Sequence, residues 1–213
     1  MTPAALALLG AACSIALFHT LIGVDHYLPF VVLGRARGWS LKKVLGITAL
    51  CGLGHVVGSI VLGFVGIGIG TAIGQLEWIE SVRGELAAWG LIAFGLAYMS
   101  WAGFKLWRGQ AHEHLHNEAR TLTFWSVFVV FALGPCEPLI PLLMAPAIEH
   151  SWGLVAGVAG LFAGTTILAM VTMAGLGWAG LGALKLKSVQ RYGNLLAGGA
   201  IAGSGLAIQV LGI

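Results

Sequence analysis

Charged residues are scarce in this chain. Asp, Glu, Lys and Arg together make up 9% of its 213 residues, whereas hydrophobic residues make up 58%. A soluble domain carries about 25% charged residues, so this chain has too few of them to cover a surface that faces water. No alternating ten-residue pattern indicates a membrane barrel, and lipid otherwise tolerates only helices. The composition therefore predicts an all-α integral membrane protein.

Cysteine and signal features are equally sparse. The three cysteines lie in apolar runs, and an odd number so placed does not indicate a disulfide scaffold. The first residues lack the positively charged start of a secretory signal, so we expect the first apolar run to be retained as a span. No basic stripe with interleaved aromatic residues occurs. The lipid bilayer is thus an expected partner, and nucleic acid is not.

Hydropathy predicts six transmembrane helices, each long enough for the roughly 20 residues that a bilayer requires. The first, second and fifth runs are longer than a straight span and contain Gly or Pro, so we expect these helices to be tilted, kinked or broken. The predicted spans are 4–33, 44–74, 85–107, 122–147, 152–183 and 192–213.

The basic residues predict the orientation in the membrane. Except for Arg83, all of them fall in the predicted loops after spans one, three and five, which the positive-inside rule assigns to the cytoplasm. Both termini should then lie outside, in a multi-pass protein of the cell (inner or plasma) membrane. The residues in these loops are Arg35, Arg37, Lys42, Lys43, Lys105, Arg108, Arg120, Lys185, Lys187 and Arg191.

The two halves of the chain resemble each other at an offset near 110 residues. Three pairs of segments align: 22–30 with 133–141, 52–57 with 162–167, and 83–97 with 192–207. Three spans in each half force the second copy to insert upside down, which is the inverted-repeat plan of secondary transporters. We therefore expect a first repeat over 1–108, a cytoplasmic His-rich connector over 109–121 and a second repeat over 122–213.

Ionisable side chains at membrane depth are costly and therefore indicate function. His19 and His26 lie two helical turns apart in the first span, with Asp25 beside them, and His55 lies in the second span. Imidazole with carboxylate favours a transition-metal ion over Mg²⁺ or Ca²⁺. We expect the three histidines to be ligands. Asp25 would be either a ligand or the acceptor that fixes an imidazole tautomer.

Two further groups of residues are weaker candidates. Cys136 and Glu137, between two prolines, align with Asp25 and His26 and would contribute to the site from the second half. The connector carries alternating histidines, which can hold a metal loosely at the cytoplasmic face; a solvated linker is an equally good interpretation. These connector residues are His112, His114 and His116.

His19, Asp25 and His26, followed by His55 in "GHVVGS", resemble the nickel/cobalt transporter superfamily. The spacing of five residues between His19 and Asp25 is most similar to the six-span membrane proteins that accompany urease and hydrogenase. The resemblance implies a permease for Ni²⁺ or Co²⁺, with Zn²⁺ and Cu²⁺ as further options and no tightly bound cofactor. In such a permease the metal ion is the transported substrate. The resemblance leaves open whether the protein has a metal-delivery partner in the cytoplasm and whether it forms a homo-oligomer.

A permease is not an enzyme, so we expect no catalytic activity. Three other functions are alternatives to it. "GPCEPLIPLL" is similar to the Pro-Cys segments of membrane thiol-disulfide carriers, although that chemistry needs two cysteines that meet. An intramembrane zinc hydrolase would use the same histidines to activate water. A small-anion exporter is opposed by the placement of every basic residue in a loop. The sequence leaves the metal, the direction of transport and the coupling ion open.

Overall fold

The computed structural model describes residues 2–68, 73–108, 128–129, 131, 134, 138–183 and 187–211, and these are all-helical apart from short turns. Seven α-helices occur in this part of the chain. They are α1 (Pro3–Ile22), α2 (Leu28–Ala36), α3 (Leu41–Gly68), α4 (Ile73–Trp107), α5 (Leu139–Ile148), α6 (Trp152–Ala183) and α7 (Lys187–Leu211).

Five helices are long and apolar enough to cross a membrane, as expected of a multi-pass membrane protein. They correspond to five of the six predicted spans. Three of these agree with the prediction to within four residues at each end, whereas the first and second end 11 and 9 residues earlier than predicted. Twelve of the 26 residues of the fourth predicted span, 122–147, lie outside the described residues. Its C-terminal part forms the ten-residue apolar helix α5. The candidate spans are Pro3–Ile22, Leu41–Val65, Ser81–Trp107, Trp152–Gly182 and Tyr192–Val210.

The first apolar run is a broken helix, which confirms the expectation drawn from its Gly and Pro. Helix α1 ends at Ile22, a single 3-10 turn covers Val24–His26, and α2 starts at Leu28 with Pro29 in its first turn. Proline fits there because the first turn needs no internal N–H donor. The second and fifth runs instead form the uninterrupted helices α3 and α6.

Helices α4 and α7 pack antiparallel with their backbones nearly touching. A methyl group at Gly198 would lie 2.6 Å from the backbone nitrogen of Met99, and one at Gly205 would lie 2.7 Å from the carbonyl oxygen of Ala88. Position 88 therefore faces 205 and position 99 faces 198. In membranes such small residues allow the close approach from which helix association gains its van der Waals energy.

The sequence predicted that every basic residue lies in a loop, and this prediction was wrong. Arg35 lies in the last turn of α2, Lys105 in the last turn of α4, and Lys42 with Lys43 in the first turn of α3. Arg83 lies well inside α4 and is half-buried. Four of these residues are still near helix ends, but Arg83 is a cation within a candidate span.

The ends of α2 and α6 meet at one end of the molecule, which we call the basic face (Arg35, Arg37, Lys42, Lys43 and Lys105). The Arg35 guanidinium stacks 3.6 Å from the ring centroid of Trp178, and its Nε donates to the carbonyl of Trp178 at 2.8 Å. Arg37 lies over the ring of Tyr98, whose hydroxyl donates to Asn194 at 2.8 Å. These contacts join four helices at this face.

Candidate metal centre

Three imidazoles meet in the middle of the bundle. The ring centroids of His19 and His26 are 4.8 Å apart, and those of His26 and His55 are 5.1 Å apart. One nitrogen from each ring lies within 4.8 Å of the others. We call these three residues the histidine cluster. The structure thus brings together the three histidines that the sequence singled out.

The cluster lies near the centre of the membrane segment. His55 is fourteen residues after Leu41 and thirteen before Gly68, the two ends of α3. At 1.5 Å per residue, this places it roughly 20 Å from either helix end. His26 and His55 are buried, each with 3% of its surface exposed, and His19 is half-buried.

The break after α1 brings His26 into the cluster. Gly23 ends the helix, and its carbonyl accepts a hydrogen bond from Nδ1 of His26 at 3.0 Å. The rings of His19 and His26 therefore meet across a turn and not along one continuous helix. No side chain fits at position 23, because a Cβ there would lie 2.5 Å from Nδ1 of His26.

Asp25 lies next to His26, on the side of the ring that carries Nδ1. Its Oδ1 is 3.3 Å from Nδ1 of His26, on the same nitrogen that donates to Gly23. The carboxylate is not part of the group whose atoms converge. Of the two roles expected for Asp25, this position fits the acceptor that orients an imidazole.

His55 is oriented by a backbone carbonyl from the second half. Its Nδ1 donates to the carbonyl of Phe131 at 3.2 Å. Gly134 packs against the same ring, since a Cβ there would lie 3.0 Å from Nδ1 of His55. Sequence reasoning missed both partners, because a backbone acceptor and a glycine carry no side-chain signature of their role.

The unused nitrogens give the cluster its chemistry. Nε2 of His19, His26 and His55 is buried in each case and has no hydrogen-bond partner in the described part of the chain. In His26 and His55 the proton on Nδ1 is committed to a carbonyl, so Nε2 of the neutral ring carries a free lone pair. Buried polar atoms normally find partners. Two free lone pairs and a third unpartnered ring nitrogen, on imidazoles that meet, can supply the donor set of a transition-metal ion.

The cluster is wider than a loaded metal site. An ion 2.0–2.1 Å from three tetrahedrally arranged nitrogens holds them about 3.4 Å apart, whereas the atoms here extend to 4.8 Å. Binding would therefore draw the rings together by about 1 Å. Side-chain rotation can supply a movement of that size without moving the helices.

The other predicted site residues lie outside the described residues. These are Cys136 and Glu137 of the second half and His112, His114 and His116 of the connector. Of the cysteines within the described ranges, Cys13 and Cys51 are free thiols. Thr165, which the predicted repeat aligns with His55, donates to Cys13, and the neighbouring Thr166 is buried.

No protein-family model, no curated protein and no solved structure matches this chain.

Proposed function

We propose that the protein is a secondary transporter that moves a divalent transition-metal ion, Ni²⁺ or Co²⁺ in the first place, across the cell membrane through the histidine cluster. One observation carries the proposal: the rings of three histidines meet at the midpoint of membrane-length helices, and the buried Nε2 atom of each has no hydrogen-bond partner in the described part of the chain. A structural role for these histidines would require partners for those atoms. A transported ion supplies one partner for all three.

The donor set supports a late transition metal. Neutral imidazole nitrogen suits Ni, Co, Cu and Zn, whereas Mg²⁺ and Ca²⁺ prefer oxygen ligands. The motif of His19, Asp25, His26 and His55, which resembles the nickel/cobalt transporter superfamily, points in the same direction. Because Asp25 faces His26 and not the centre of the cluster, it would raise the basicity of a ligand and not bind the ion.

The antiparallel contacts between α4 and α7 are consistent with a six-span inverted repeat. If the second half is an inverted copy at an offset of 110 residues, a contact between i and j recurs between j − 110 and i + 110. Gly95 approaches Ala202, and Gly205 approaches Ile92, which is the pair that this exchange requires. The same exchange relates two further contacts, Gly95 with Gly198 and Gly205 with Ala88. In secondary transporters, such a plan places the substrate site near the midplane.

The orientation follows from the basic face. Cytoplasmic segments close to membrane helices carry an excess of Lys and Arg, so we assign the basic face to the cytoplasm and both termini to the outside. The cluster would then open alternately to the two faces. The direction of net transport depends on the ion gradients and not on the site.

A small-anion exporter is the second candidate, because a specific observation now favours it. Arg83 places a half-buried cation inside a candidate span, which removes the sequence argument against this function. Two guanidinium nitrogens of Arg83, however, already face protein oxygens, those of Ser59 and Gly134. The unpartnered atoms at the centre of the bundle are lone-pair donors, which bind cations.

Uptake by reconstituted protein tests the proposal. Proteoliposomes that contain the parent chain should accumulate radioactive nickel or cobalt, and His26→Ala or His55→Ala should reduce the initial rate at least tenfold. His150→Ala is the matched control, because His150 lies in the turn after α5, outside the cluster, and should leave the rate unchanged. Equal rates for the parent and both cluster variants, with equal amounts of inserted protein, would contradict the proposal. Chloride-independent sulfite or sulfate flux that needs Arg83 would favour the anion exporter.

A further inference from the structure

Arg83 is a cation near one end of a candidate membrane span. It is half-buried within the candidate span Ser81–Trp107 of α4, ten residues after the start of that helix. A half-buried charged side chain in a membrane helix is costly unless it is paired. The groups that face Arg83 therefore indicate what it does.

The guanidinium joins two segments beside the histidine cluster. Its Nη1 lies 3.5 Å from Oγ of Ser59 in α3, and its Nη2 lies 3.5 Å from the carbonyl oxygen of Gly134. We call these contacts the Arg83 link (Arg83, Ser59 and Gly134). Both distances are at the long end of hydrogen bonds, so each contact is weak by itself.

Each partner in the link leads directly to His55. Ser59 is buried one helical turn beyond His55, toward the Gly68 end of α3. Gly134 packs against the His55 ring, and its N–H donates at 3.1 Å to the carbonyl of Phe131, which also accepts from Nδ1 of His55. The link thus contacts Gly134, which packs against this imidazole and bonds to the carbonyl that orients it.

The link lies on one side of the cluster only. Helix α3 starts at the basic face and runs away from it, so Ser59 is farther from that face than His55. On the other side of the cluster, Arg35 joins α2 to Trp178 of α6. Arg83 and Arg35 therefore connect helices on opposite sides of the same site, and the face beyond Arg83 is the one where α1 begins, here called the N-terminal face.

We propose that Arg83 is a positioning residue that closes the histidine cluster toward the N-terminal face and holds His55 in its orientation. This proposal rests on the proposed function, since it treats the cluster as the ion site. An ion that approaches from the N-terminal face meets a positive charge and a covered imidazole until the link breaks.

Thiol labelling tests the closure without using metal. The three native cysteines are replaced by alanine, and His19→Cys places one reporter thiol at the cluster while His55 and its Phe131 bond are kept. A membrane-impermeant methanethiosulfonate is added to intact cells and to inverted vesicles, and an N-terminal tag identifies which preparation exposes the N-terminal face. Arg83→Gln should raise the labelling rate from that face at least tenfold and leave the rate from the basic face within twofold.

Two variants complete the experiment. Arg35→Gln is the matched control, because it removes a comparable cation on the other side, and it should not raise labelling from the N-terminal face. Ser59→Ala removes one partner of the link, should raise the rate severalfold, and replaces Arg83→Gln if that variant does not accumulate. A membrane-permeant reagent shows that the thiol is reactive in each protein.

The outcomes are separable from those of the uptake experiment. Equal labelling of the parent and Arg83→Gln from the N-terminal face would overturn the closure, whether or not the protein transports nickel. Conversely, labelling that depends on Arg83 in a protein that moves no metal would support the closure and contradict only the proposed cargo. Equal increases with Arg83→Gln and Arg35→Gln would indicate general loosening and would also overturn the proposal.

Discussion

The imidazole rings of His26 and His55 stand edge to face, with centroids 5.1 Å apart and planes 83° apart. The first ring comes from the turn between α1 and α2, and the second comes from the middle of α3. Each is held through Nδ1 by a backbone carbonyl, that of Gly23 and that of Phe131. Their Nε2 atoms are thereby left for a shared partner. The backbone thus favours the same tautomer, with the proton on Nδ1, in both rings.

Removal of the Asp25 carboxylate should weaken metal binding without abolishing it. Asp25 acts through Nδ1 of His26, and loss of such an outer partner costs tenfold to a hundredfold in affinity, roughly. Asp25→Ala should show that loss, and Asp25→Asn a smaller one, because the amide oxygen still accepts a hydrogen bond. Calorimetric titration of the detergent-solubilised protein with Ni²⁺ measures both. If Asp25→Asn abolished binding as completely as His26→Ala, Asp25 would be a ligand.

A side chain at position 23 should displace His26. A Cβ at Gly23 would lie 2.5 Å from Nδ1 of His26 and 3.0 Å from Oδ1 of Asp25. Gly23→Ala should therefore lower nickel affinity at least tenfold while the protein still inserts. Gly10→Ala in α1 is the control, because a Cβ there meets nothing within 4 Å. Unchanged binding by Gly23→Ala would show that the turn after α1 does not set the position of His26.

The contact between α4 and α7 should be sensitive to a single methyl group. A Cβ at Gly198 would lie 2.6 Å from the backbone nitrogen of Met99, and a backbone atom cannot move aside as a side-chain tip can. Gly198→Ala should lower the free energy of unfolding by about 2 kcal/mol, the usual cost of overpacking. Thermal unfolding in detergent measures this change.

Gly203→Ala provides the comparison in the same helix. A Cβ at this position meets nothing within 4 Å, and alanine is favoured over glycine within a helix by up to about 1 kcal/mol. This variant should be as stable as the parent or slightly more stable. Equal destabilisation by both substitutions would mean that the two helices do not pack through Gly198.

A substitution at Gly182 should change the stability of the protein only by displacing the Arg35 side chain. A Cβ at Gly182 would collide with the Arg35 guanidinium, a flexible side-chain end that can swing away. Gly182→Ala should therefore remove the contacts of Arg35 with Trp178 and destabilise the protein by about 1 kcal/mol, the typical net value of a hydrogen bond. Gly180→Ala, where a Cβ meets nothing within 4 Å, should have no such effect.

A double-mutant cycle shows whether the two residues act together. Once Arg35→Ala has removed the guanidinium, Gly182→Ala should cost almost nothing further. Additive losses would indicate that Gly182 supports the fold by a route independent of Arg35. The free energy of unfolding of the four proteins, measured in the same detergent, decides between these results.

Local sequence features sufficed for the membrane-length helices and for the histidines of the site. Hydropathy identifies membrane helices well, because an apolar segment is stable in lipid and must satisfy its own backbone hydrogen bonds there. For the same reason, His19, His26 and His55 stand out as costly exceptions. The break of the first helix was also readable, because Gly23 and Pro29 weaken the helix between them.

The partners of these residues were decided only by the tertiary structure. Helices that are apolar on all sides carry little periodic signal of how they rotate or which neighbour they face, so no local pattern places Phe131 beside His55 or Arg83 beside Ser59. Asp25 could have been a ligand or an acceptor until the turn at Gly23 directed it behind His26. The amino-acid sequence by itself determined which groups the bilayer contains. The packing of distant helices determined which of those groups meet, because close approach depends on backbone contacts that residue type alone does not specify.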